Sequence, residues 1–401
     1  MSVEPSSHDV NIIRDTGISL RIVTAFDKLQ TLEADWLELL RRSSANEPML
    51  STQWLLPWWR VYGVSGGRSL QFGLFYQGDR LIGIAPMQRR TFRHRFGLTM
   101  SRIEFLGADV DEEDGVCSEY LNLIVEQGRE RDVVAAFVEA LKCNYFGTWH
   151  ELVLSAMDGD GSMPNLLMSA LSEAGLRTEQ AETTSACYIP LPKSWEEYLS
   201  TLGKHRRYVN KTLRDFEKWA EGTANFIRAD TPEQLSEGIR ILHELHGQRW
   251  QGQGQPGVFA SDRFRDFHEQ VMQRLWQEEL LDLYWLTAHD RPLAAIYNFR
   301  WDNKVYFYQS GRQVDLPNSV RVGIVLQKHC IEQAIQTGCR EYDFLGGPTQ
   351  YKRQLSPTSR PIIRIRATRP GTREHVRQLT ETCVNLARRV RNGIRKAFAS
   401  K

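Results

Sequence analysis

The sequence predicts an α/β protein built from two copies of one domain. Its 401 residues exceed the roughly 100–200 residues of an ordinary domain. The segment LDLYWLTAHDRPLAAIYNFRW in the second half can be laid over LQFGLFYQGDRLIGIAPMQRR in the first, and both have the pattern of a β-hairpin. Each hairpin is followed by a further strand, a helix and a last strand. A repeat of about 200 residues is too long for a solenoid and indicates tandem domains with mixed sheets.

The first half contains the following elements. Apolar residues at helical spacing predict a helix from Asp27 to Leu40. The first hairpin turns at Gly78–Arg80, and a second hairpin is predicted from strands at 103–106 and 120–125. A helix over 132–141 and a strand over 151–154 complete this half.

The second half repeats this order. Its hairpin turns at Asp290–Arg291, and a strand over 305–310, a helix over 319–336 and a strand over 342–345 follow. A strongly basic helix joins the halves and turns Tyr208, Leu213 and Phe216 toward a core. The predicted organisation is a disordered N-terminus at 1–20, domains at 21–185 and 186–360, and a basic strand and helix tail at 361–401.

Composition excludes several classes of protein. The net charge of +2 gives no overall nucleic-acid signature, and no apolar run is long enough to span a membrane. The N-terminus lacks the pattern of a signal peptide, and the six cysteines, with no C-x-x-C pair, predict buried thiols in a reducing cytoplasm. No P-loop or G-x-S-x-G motif occurs.

No metal site is expected. The acidic stretch 107–114 suggests calcium, but counted from Asp109 it lacks the glycine and glutamate that an EF-hand loop requires at its sixth and twelfth positions. His243 and His246 share a helix face, but no third ligand is in evidence nearby.

The predicted C-terminal helix, 372–398, is basic and amphipathic. It either packs its apolar stripe on the domain or lies on an anionic membrane surface, which would place the protein peripherally at the inner membrane. Both interpretations stay open at the level of sequence.

An anion site is predicted where the helix of the second half begins. The first turn of a helix offers unpaired N–H groups and a positive dipole end, Gly323 lets an anion approach the backbone, and Arg321 adds charge. These features suit a pyrophosphate such as that of coenzyme A. The matching helix of the first half begins among Glu126, Glu130 and Asp132, which is the wrong charge. The first half is therefore assigned to recognition of a second substrate, the acceptor, or to a scaffold role.

A second group of chemical residues follows the last strand of the second half. Asp343 is succeeded by two glycines and then by Tyr351 and Lys352, where the chain leaves the sheet. Ligands of open α/β sheets bind at such strand ends. Lys352 is a candidate to bind an oxyanion, and Tyr351 to protonate a leaving thiolate. Asp343 is either a base or a structural carboxylate.

These motifs together resemble a family. The run from Gly203 to Lys352, with KHRRYVNKTLRDFE, RPLAAIYNF, VYFYQSG, VGIVLQKHCIEQAIQTG and EYDFLGGPTQYK in order, resembles GNAT acyltransferases associated with cellulose biosynthesis (CelD-like or BioF-like). The first half fits through WLLPWWRVYG, GDRLIGIAPMQRR and SEYLNLIV. These proteins are related to the Fem peptidyltransferases, which also have tandem GNAT-like domains. The resemblance implies that fold and an amide-forming acyl transfer.

The resemblance also implies site residues. The acyl-CoA donor, acetyl-CoA in the simplest case, would bind at the strand and helix start of the second half, at Gln309, Ser310, Ser319, Val320, Arg321, Val322 and Gly323. Asp343 or Glu119 would be the base, with Lys352 and Tyr351 as electrophilic or acid partners. The expected substrate-binding residues are Arg206, Arg207, Asn210 and Trp250.

The expected function is N-acyl transfer from acyl-CoA to a small amine or amino sugar in envelope or exopolysaccharide assembly. One alternative is aminoacyl transfer from a charged tRNA, with the basic helix on the tRNA phosphates. Another is a non-catalytic partner of a polysaccharide-synthesis complex.

Overall fold

A computed structural model describes residues 9–13, 17–93, 99–108 and 115–370. The strands are β1 (Asp9–Ile13), β2 (Ile18–Val23), β3 (Arg68–Gln77), β4 (Arg80–Arg93), β5 (Thr99–Phe105), β6 (Ile124–Val125), β7 (Glu151–Asp158), β8 (Arg177–Pro190), β9 (Asn225–Arg228), β10 (Leu281–Ala288), β11 (Arg291–Trp301), β12 (Lys304–Arg312), β13 (Glu341–Asp343) and β14 (Thr358–Thr368).

The helices are α1 (Phe26–Gln30), α2 (Glu33–Arg41), α3 (Thr52–Trp58), α4 (Glu130–Lys142), α5 (Met163–Glu173), α6 (Trp195–Thr201), α7 (His205–Ala220), α8 (Pro232–Gln251), α9 (Asp262–Gln277), α10 (Val322–Gln336) and α11 (Gln350–Leu355). Short 3₁₀ turns lie at Pro48–Leu50 and Val258–Ala260, and α3 runs into a π-helical turn at Trp59–Gly63.

The described strands form one sheet in which the two halves mirror each other. The order is β1-β2-β3-β4-β5-β7-β14-β8-β13-β12-β11-β10-β9, with β6 beside β4. Each half contains an antiparallel hairpin, β3–β4 or β10–β11, and one parallel pair, β5–β7 or β12–β13. The predicted repeat and both of its hairpins are confirmed.

The halves exchange their last strands. β8 follows β7 in the chain, but it pairs with β13 of the second half. β14 ends the second half, but it pairs with β7 of the first. β8 and β14 also pair with each other along their length, and this pairing joins the two halves into one sheet. The predicted domain boundaries at 185/186 and 360/361 fall inside these two strands and stay a prediction.

Helices cover both faces of the second half. Leu283 and Trp285 of β10 belong to one apolar cluster with α8 and α9, while Tyr284 and Leu286 belong to another with α7 and α10. Because both faces are covered, β10 is buried almost throughout, and its sequence is a nearly continuous apolar run. The predicted α/β architecture with helices on both faces is thus observed.

Three sequence expectations need correction. Residues 9–13 and 18–23 form paired strands where disorder was predicted over 1–20, because Ile18 and Leu20 are buried in the core; residues 1–8 and 14–16 lie outside the described residues. The segments 103–106 and 120–125 do not pair as a hairpin, since β5 and β6 both bind β4. Cys117 and Cys143 are exposed, not buried.

The helix predicted over 372–398, with its membrane contact, and Cys383 lie outside the described residues. Among the residues that the structure describes, no helix is both long and apolar enough to cross a bilayer.

Candidate active site

The two parallel strands of the second half separate and leave a gap. β12 and β13 pair only at 304–306 with 341–343, after which β13 ends and β12 continues to Arg312. Beyond Tyr306, β12 therefore has β11 on one side and no described strand on the other. Tyr308 is a bulge residue, because Phe307 and Gln309 lie opposite consecutive residues of β11. Bulges disturb the ladder and redirect the backbone, and they are common beside active sites.

A cavity of about 220 Å³ lies beside this gap. Apolar side chains of β11 and β12 form part of its wall, and the start of α10 forms another part. Its lining consists of Tyr208, Arg249, Ala294, Ile296, Phe307, Ser310, Gly311, Arg312, Val320, Arg321, Val322, Gly323, Ile324, Gln327 and Tyr351. The cavity thus has apolar side chains from β11 and β12 in one part of its wall and a helix N-terminus in another.

The N-terminus of α10 is open toward the cavity. Arg321 is the N-cap residue and makes no side-chain cap, and the first turn contains no acidic residue. The backbone N–H groups of Val322 and Gly323 have no hydrogen-bond acceptor in the described part of the chain. Such a terminus carries partial positive charge and binds anions.

Three guanidinium groups surround the same end of the cavity. Arg249, Arg312 and Arg321 all line it, and none forms an ion pair with a carboxylate of the described residues. Burial, and then the charges of Arg249 and Arg321, lower the pKa of Arg312. The cations repel one another, so an anion in the cavity would relieve the repulsion.

A loop of the first half reaches the end of β13. The N–H of Cys117 donates to the Tyr308 hydroxyl at 3.3 Å, and the N–H of Gly346 donates to Glu119 Oε2 at 2.6 Å. Burial raises the pKa of Glu119 to about 7, against the opposing effects of the Gly346 N–H and of Lys352. A carboxyl group with a pKa near neutral pH is suited to general acid–base chemistry.

Asp343 is fully buried and its oxygens are occupied. It accepts hydrogen bonds from the Tyr120 hydroxyl and from the Leu345 N–H, both at 2.6 Å, and Arg360 lies 3.9 Å away. Burial raises its pKa to about 6. Tyr120 and Leu345 both have positive φ, at 59° and 57°, which is uncommon for residues other than glycine. Asp343 thus ties two strained segments together at the site.

The Tyr351–Lys352 pair is divided between the cavity and the turn behind it. Tyr351 lines the cavity, and burial raises its pKa above the usual range for tyrosine. Lys352 Nζ donates to the carbonyls of Phe344 at 2.7 Å, Gly346 at 2.8 Å and Leu345 at 3.4 Å. The lysine ammonium is thereby bound to backbone, whereas the Tyr351 hydroxyl stays protonated at the cavity wall.

The remaining sequence-predicted residues are distributed unevenly. Ser310 and Val320–Gly323 line the cavity, whereas Gln309 hydrogen-bonds His246 and Ser319 is exposed outside the lining. Arg206, Arg207, Asn210 and Trp250 do not line it either. Their chain neighbours Tyr208 and Arg249 do.

Sequence reasoning missed Tyr208, Arg249, Arg312 and Gln327. Arg312 lies two residues past the end of the predicted strand, so the same argument that selected Ser310 could have selected it. No local sequence pattern distinguishes Arg249, because it reaches the cavity only through the packing of α8 on β12. No group of His, Cys, Asp and Glu that could hold a metal occurs among the residues described.

The geometry can now be compared with known proteins. Residues 203–353 match the family model of the acetyltransferase (GNAT) domain. The matched region of the second half is thus similar to GNAT domains. It contains the gap, the cavity and the turn after β13. No curated protein matches the chain.

Solved structures share the fold of the whole chain. The crystal structure of FemX aligns with a TM-score of 0.60 at 10% identity, covering 86% of this chain and 98% of its own. A conserved protein of unknown function from Bacteroides thetaiotaomicron aligns at 0.51 and 10% identity, covering 87% and 99%. The C-terminal domain of a putative lysylphosphatidylglycerol synthetase from Agrobacterium fabrum aligns at 0.50 and 12% identity, covering 89% and 97%. The whole chain thus has a Fem-like fold, and the region that matches the GNAT model lies in its second half.

Proposed function

We propose that the protein is an N-acyltransferase that moves an acyl group, acetyl first among them, from acyl-CoA to an amine. The observation that carries this proposal is the cavity beside the strand gap and the open start of α10, lined by three arginines that form no ion pair with a described carboxylate. An apolar slot ending in a cationic, N–H-rich terminus suits a pantetheine arm followed by a pyrophosphate.

Particular residues would hold the donor. The N–H groups of Val322 and Gly323, with Arg312 and Arg321, would take the pyrophosphate. The slot along β12, from Phe307 to Ser310, would take the apolar arm. Acyl-CoA supplies an activated thioester, which an unprotonated amine attacks directly.

The protein's own groups then handle the protons. The C–N bond forms as the C–S bond breaks, and Glu119 accepts the proton that the amine loses. Tyr351, whose hydroxyl stays protonated, donates to the departing sulfur. Most of the rate enhancement would come from proximity and from backbone N–H groups near the Tyr308 bulge.

The acceptor follows from the narrower resemblance to acetyltransferases associated with cellulose biosynthesis. We infer an amine or amino sugar that serves as a precursor of envelope or exopolysaccharide, in the cytoplasm. The loop of the first half that delivers Glu119 would form one wall of the acceptor site.

Isothermal titration with acetyl-CoA and longer acyl-CoAs tests the donor. Micromolar affinity is expected, and the double variant Arg312→Gln/Arg321→Gln should lose about a hundredfold, about 2.7 kcal/mol. Lys328→Gln, on the same helix but paired with Glu332, is the control and should change little. If no CoA species binds the wild type, the acyl-CoA proposal is wrong and the tRNA donor or a scaffold role takes its place.

The surface of α7 favours a second candidate, aminoacyl transfer from a charged tRNA. Arg207, Lys211, Arg214 and Lys218 are exposed and spaced by four, three and four residues, so they share one face of the helix. Among these described side chains only Lys211 has an ion-pair partner, Asp215. Binding of aminoacyl-tRNA that weakens steeply with salt would support this candidate, and a flat response would exclude it.

A further inference from the structure

Three backbone carbonyls at the turn that follows β13 accept hydrogen bonds from one side chain, that of Lys352. We infer that Lys352 is a positioning residue, which clamps the turn at 345–347 so that the Gly346 N–H holds the Glu119 carboxylate in the site. This inference rests on the proposed function, in which Glu119 is the base. It replaces the sequence-based expectation that Lys352 binds the oxyanion of the substrate.

The donors of Lys352 are already in use. A lysine ammonium has three N–H donors, and Nζ has three carbonyl acceptors, those of Phe344, Leu345 and Gly346. Lys352 is only 8% exposed, and it forms no ion pair within 4 Å among the described residues. To bind an oxyanion, the ammonium would have to release a buried carbonyl, which costs about 1–3 kcal/mol.

The clamped turn has a backbone geometry that a central cation stabilises. Leu345 and Gly347 both have positive φ, at 57° and 76°, and the three carbonyls of residues 344–346 converge on one point. Carbonyl oxygens that converge repel one another, and a cation at their centre removes this repulsion. Lys352 reaches them from the first turn of α11, which follows the turn directly.

The clamped turn in turn fixes Glu119. A Cβ on Gly346 would overlap Glu119 Oε1, so the carboxylate sits directly against the glycine backbone and accepts its N–H. Lys352 and Glu119 also interact through their charges. Because Glu119 comes from the first half and the turn from the second, Lys352 sets the geometry of a site shared by both.

The experiment compares Lys352→Met, Lys352→Arg and wild type by two readouts. The first is a ¹³C NMR titration of the glutamate carboxyl carbons, with Glu119→Gln to assign the Glu119 resonance; it needs no activity. The second is the pH dependence of kcat/KM with acetyl-CoA and an amine acceptor. Lys328→Met is the matched lysine control, since Lys328 lies on α10 outside the clamp.

We expect Lys352→Met to raise the apparent pKa of Glu119 by about one, a tenfold loss of the ionised form on the acidic side. The rising limb of kcat/KM should move to higher pH by the same amount, with recovery to within about threefold at alkaline pH. Acetyl-CoA affinity should stay within about threefold, and Lys352→Arg should restore the wild-type profile. An oxyanion role predicts instead a loss of about 10²–10³ in kcat at every pH with an unchanged Glu119 titration, and that result overturns the inference.

Two further outcomes are separable. If wild type neither binds nor uses acyl-CoA, the proposed function fails, while the titration still tests the clamp. If Lys352→Met does not fold, Gly346→Ala displaces the carboxylate from the other side and should raise the Glu119 pKa in the same way. An unchanged Glu119 titration in Gly346→Ala would contradict the clamp.

Discussion

The two halves share a topology but differ at the point where each helix follows its parallel strand. In the second half, β12 runs six residues past its last pairing with β13, and α10 has Arg321 as its N-cap and no acidic residue in its first turn. In the first half, β5 ends one residue past its last pairing with β7. There α4 begins with Glu130 and Asp132, and Glu130 accepts the N–H of Gly128.

This difference indicates that the two halves offer different surfaces to a ligand. The start of α4 is neutralised by its own carboxylates and has no extended strand beside it, so it offers nothing to an anion. At the start of α10, the N–H groups of Val322 and Gly323 have no acceptor among the described residues, and Arg312 and Arg321 form no ion pair with a described carboxylate. The first half contributes by another route, through the loop that carries Glu119 and Tyr120 across to Asp343 and Gly346.

The largest expected effect tests this contribution. Glu119→Gln should lower kcat/KM by about 10²–10⁴, because the amine loses its proton acceptor, while acetyl-CoA affinity stays within about twofold. Wild-type kcat/KM should rise with pH through about 7, the pKa to which burial raises Glu119, and the variant should lose this limb. Glu130→Gln in the same half is the control. A variant that retains full activity would move the base elsewhere.

The next effect tests the helix starts directly. Gly323→Glu places a carboxylate at the second position of α10, where a side chain has room, and should weaken acetyl-CoA binding about a hundredfold, or about 2.7 kcal/mol. Arg131→Glu makes the same change at the second position of α4 and should alter titration heats little. Equal losses in both variants would mean that the halves do not differ in donor binding.

The next prediction concerns stability in acid: protonation of buried histidines in the second half should lower the free energy of unfolding as pH falls. Burial lowers the pKa of His243 and His246 to about 4, so both stay neutral in the fold, while the unfolded chain protonates them below about 6.5. The contribution of these two histidines to the free energy of unfolding is therefore fully present above pH 6.5 and is lost as pH falls toward 4.

Glu119 and Asp343 act in the opposite direction, since raised pKa values of about 7 and about 6 favour the fold as pH falls. Comparing wild type with His246→Gln cancels them. From neutral pH to about pH 4.5, wild type should lose roughly 1–3 kcal/mol more unfolding free energy than the variant in urea titrations. Parallel pH profiles for the two proteins would refute the assignment of a buried neutral imidazole.

The smallest effect is an expected absence of change. Glu130→Gln/Asp132→Asn removes the acids from the start of α4, yet donor stoichiometry should remain one per chain, with affinity within about twofold. The reason is that β5 provides no extended strand beside that helix. A second equivalent of acetyl-CoA in the titration would show that charge alone separates the halves.

The sequence was sufficient for the features that local pattern controls. The hairpins at Gly78–Arg80 and Asp290–Arg291, the acid-free start of α10 and the acidic start of α4 are all legible as spacing and charge. The resemblance named Glu119 as one of two candidate bases, but the sequence did not predict its contact with Gly346, because these residues lie 227 positions apart and meet only in the folded chain.

Other features depended on tertiary structure alone. Arg249 lies beside Trp250, which was selected, and only the packing of α8 on β12 decides which of the two faces the cavity. The strands 103–105 and 124–125 have ordinary strand patterns, and no local signal reveals that both pair with β4. The hydrogen bonds of Lys352 could not be predicted from the sequence either, because its three acceptors are backbone carbonyls that any sequence would supply.

The exchange of β8 and β14 also sets the order in which the chain can fold during synthesis. β7 waits for β14, which leaves the ribosome about 200 residues later, or roughly 10–40 s at 5–20 residues per second. Until then the growing first half exposes an unpaired sheet edge, the kind of surface that chaperones protect. β7 therefore stays without one of its neighbours until β14, the last described strand, has been synthesised, and the contacts between Glu119 and the turn after β13 belong to a sheet that is complete only then.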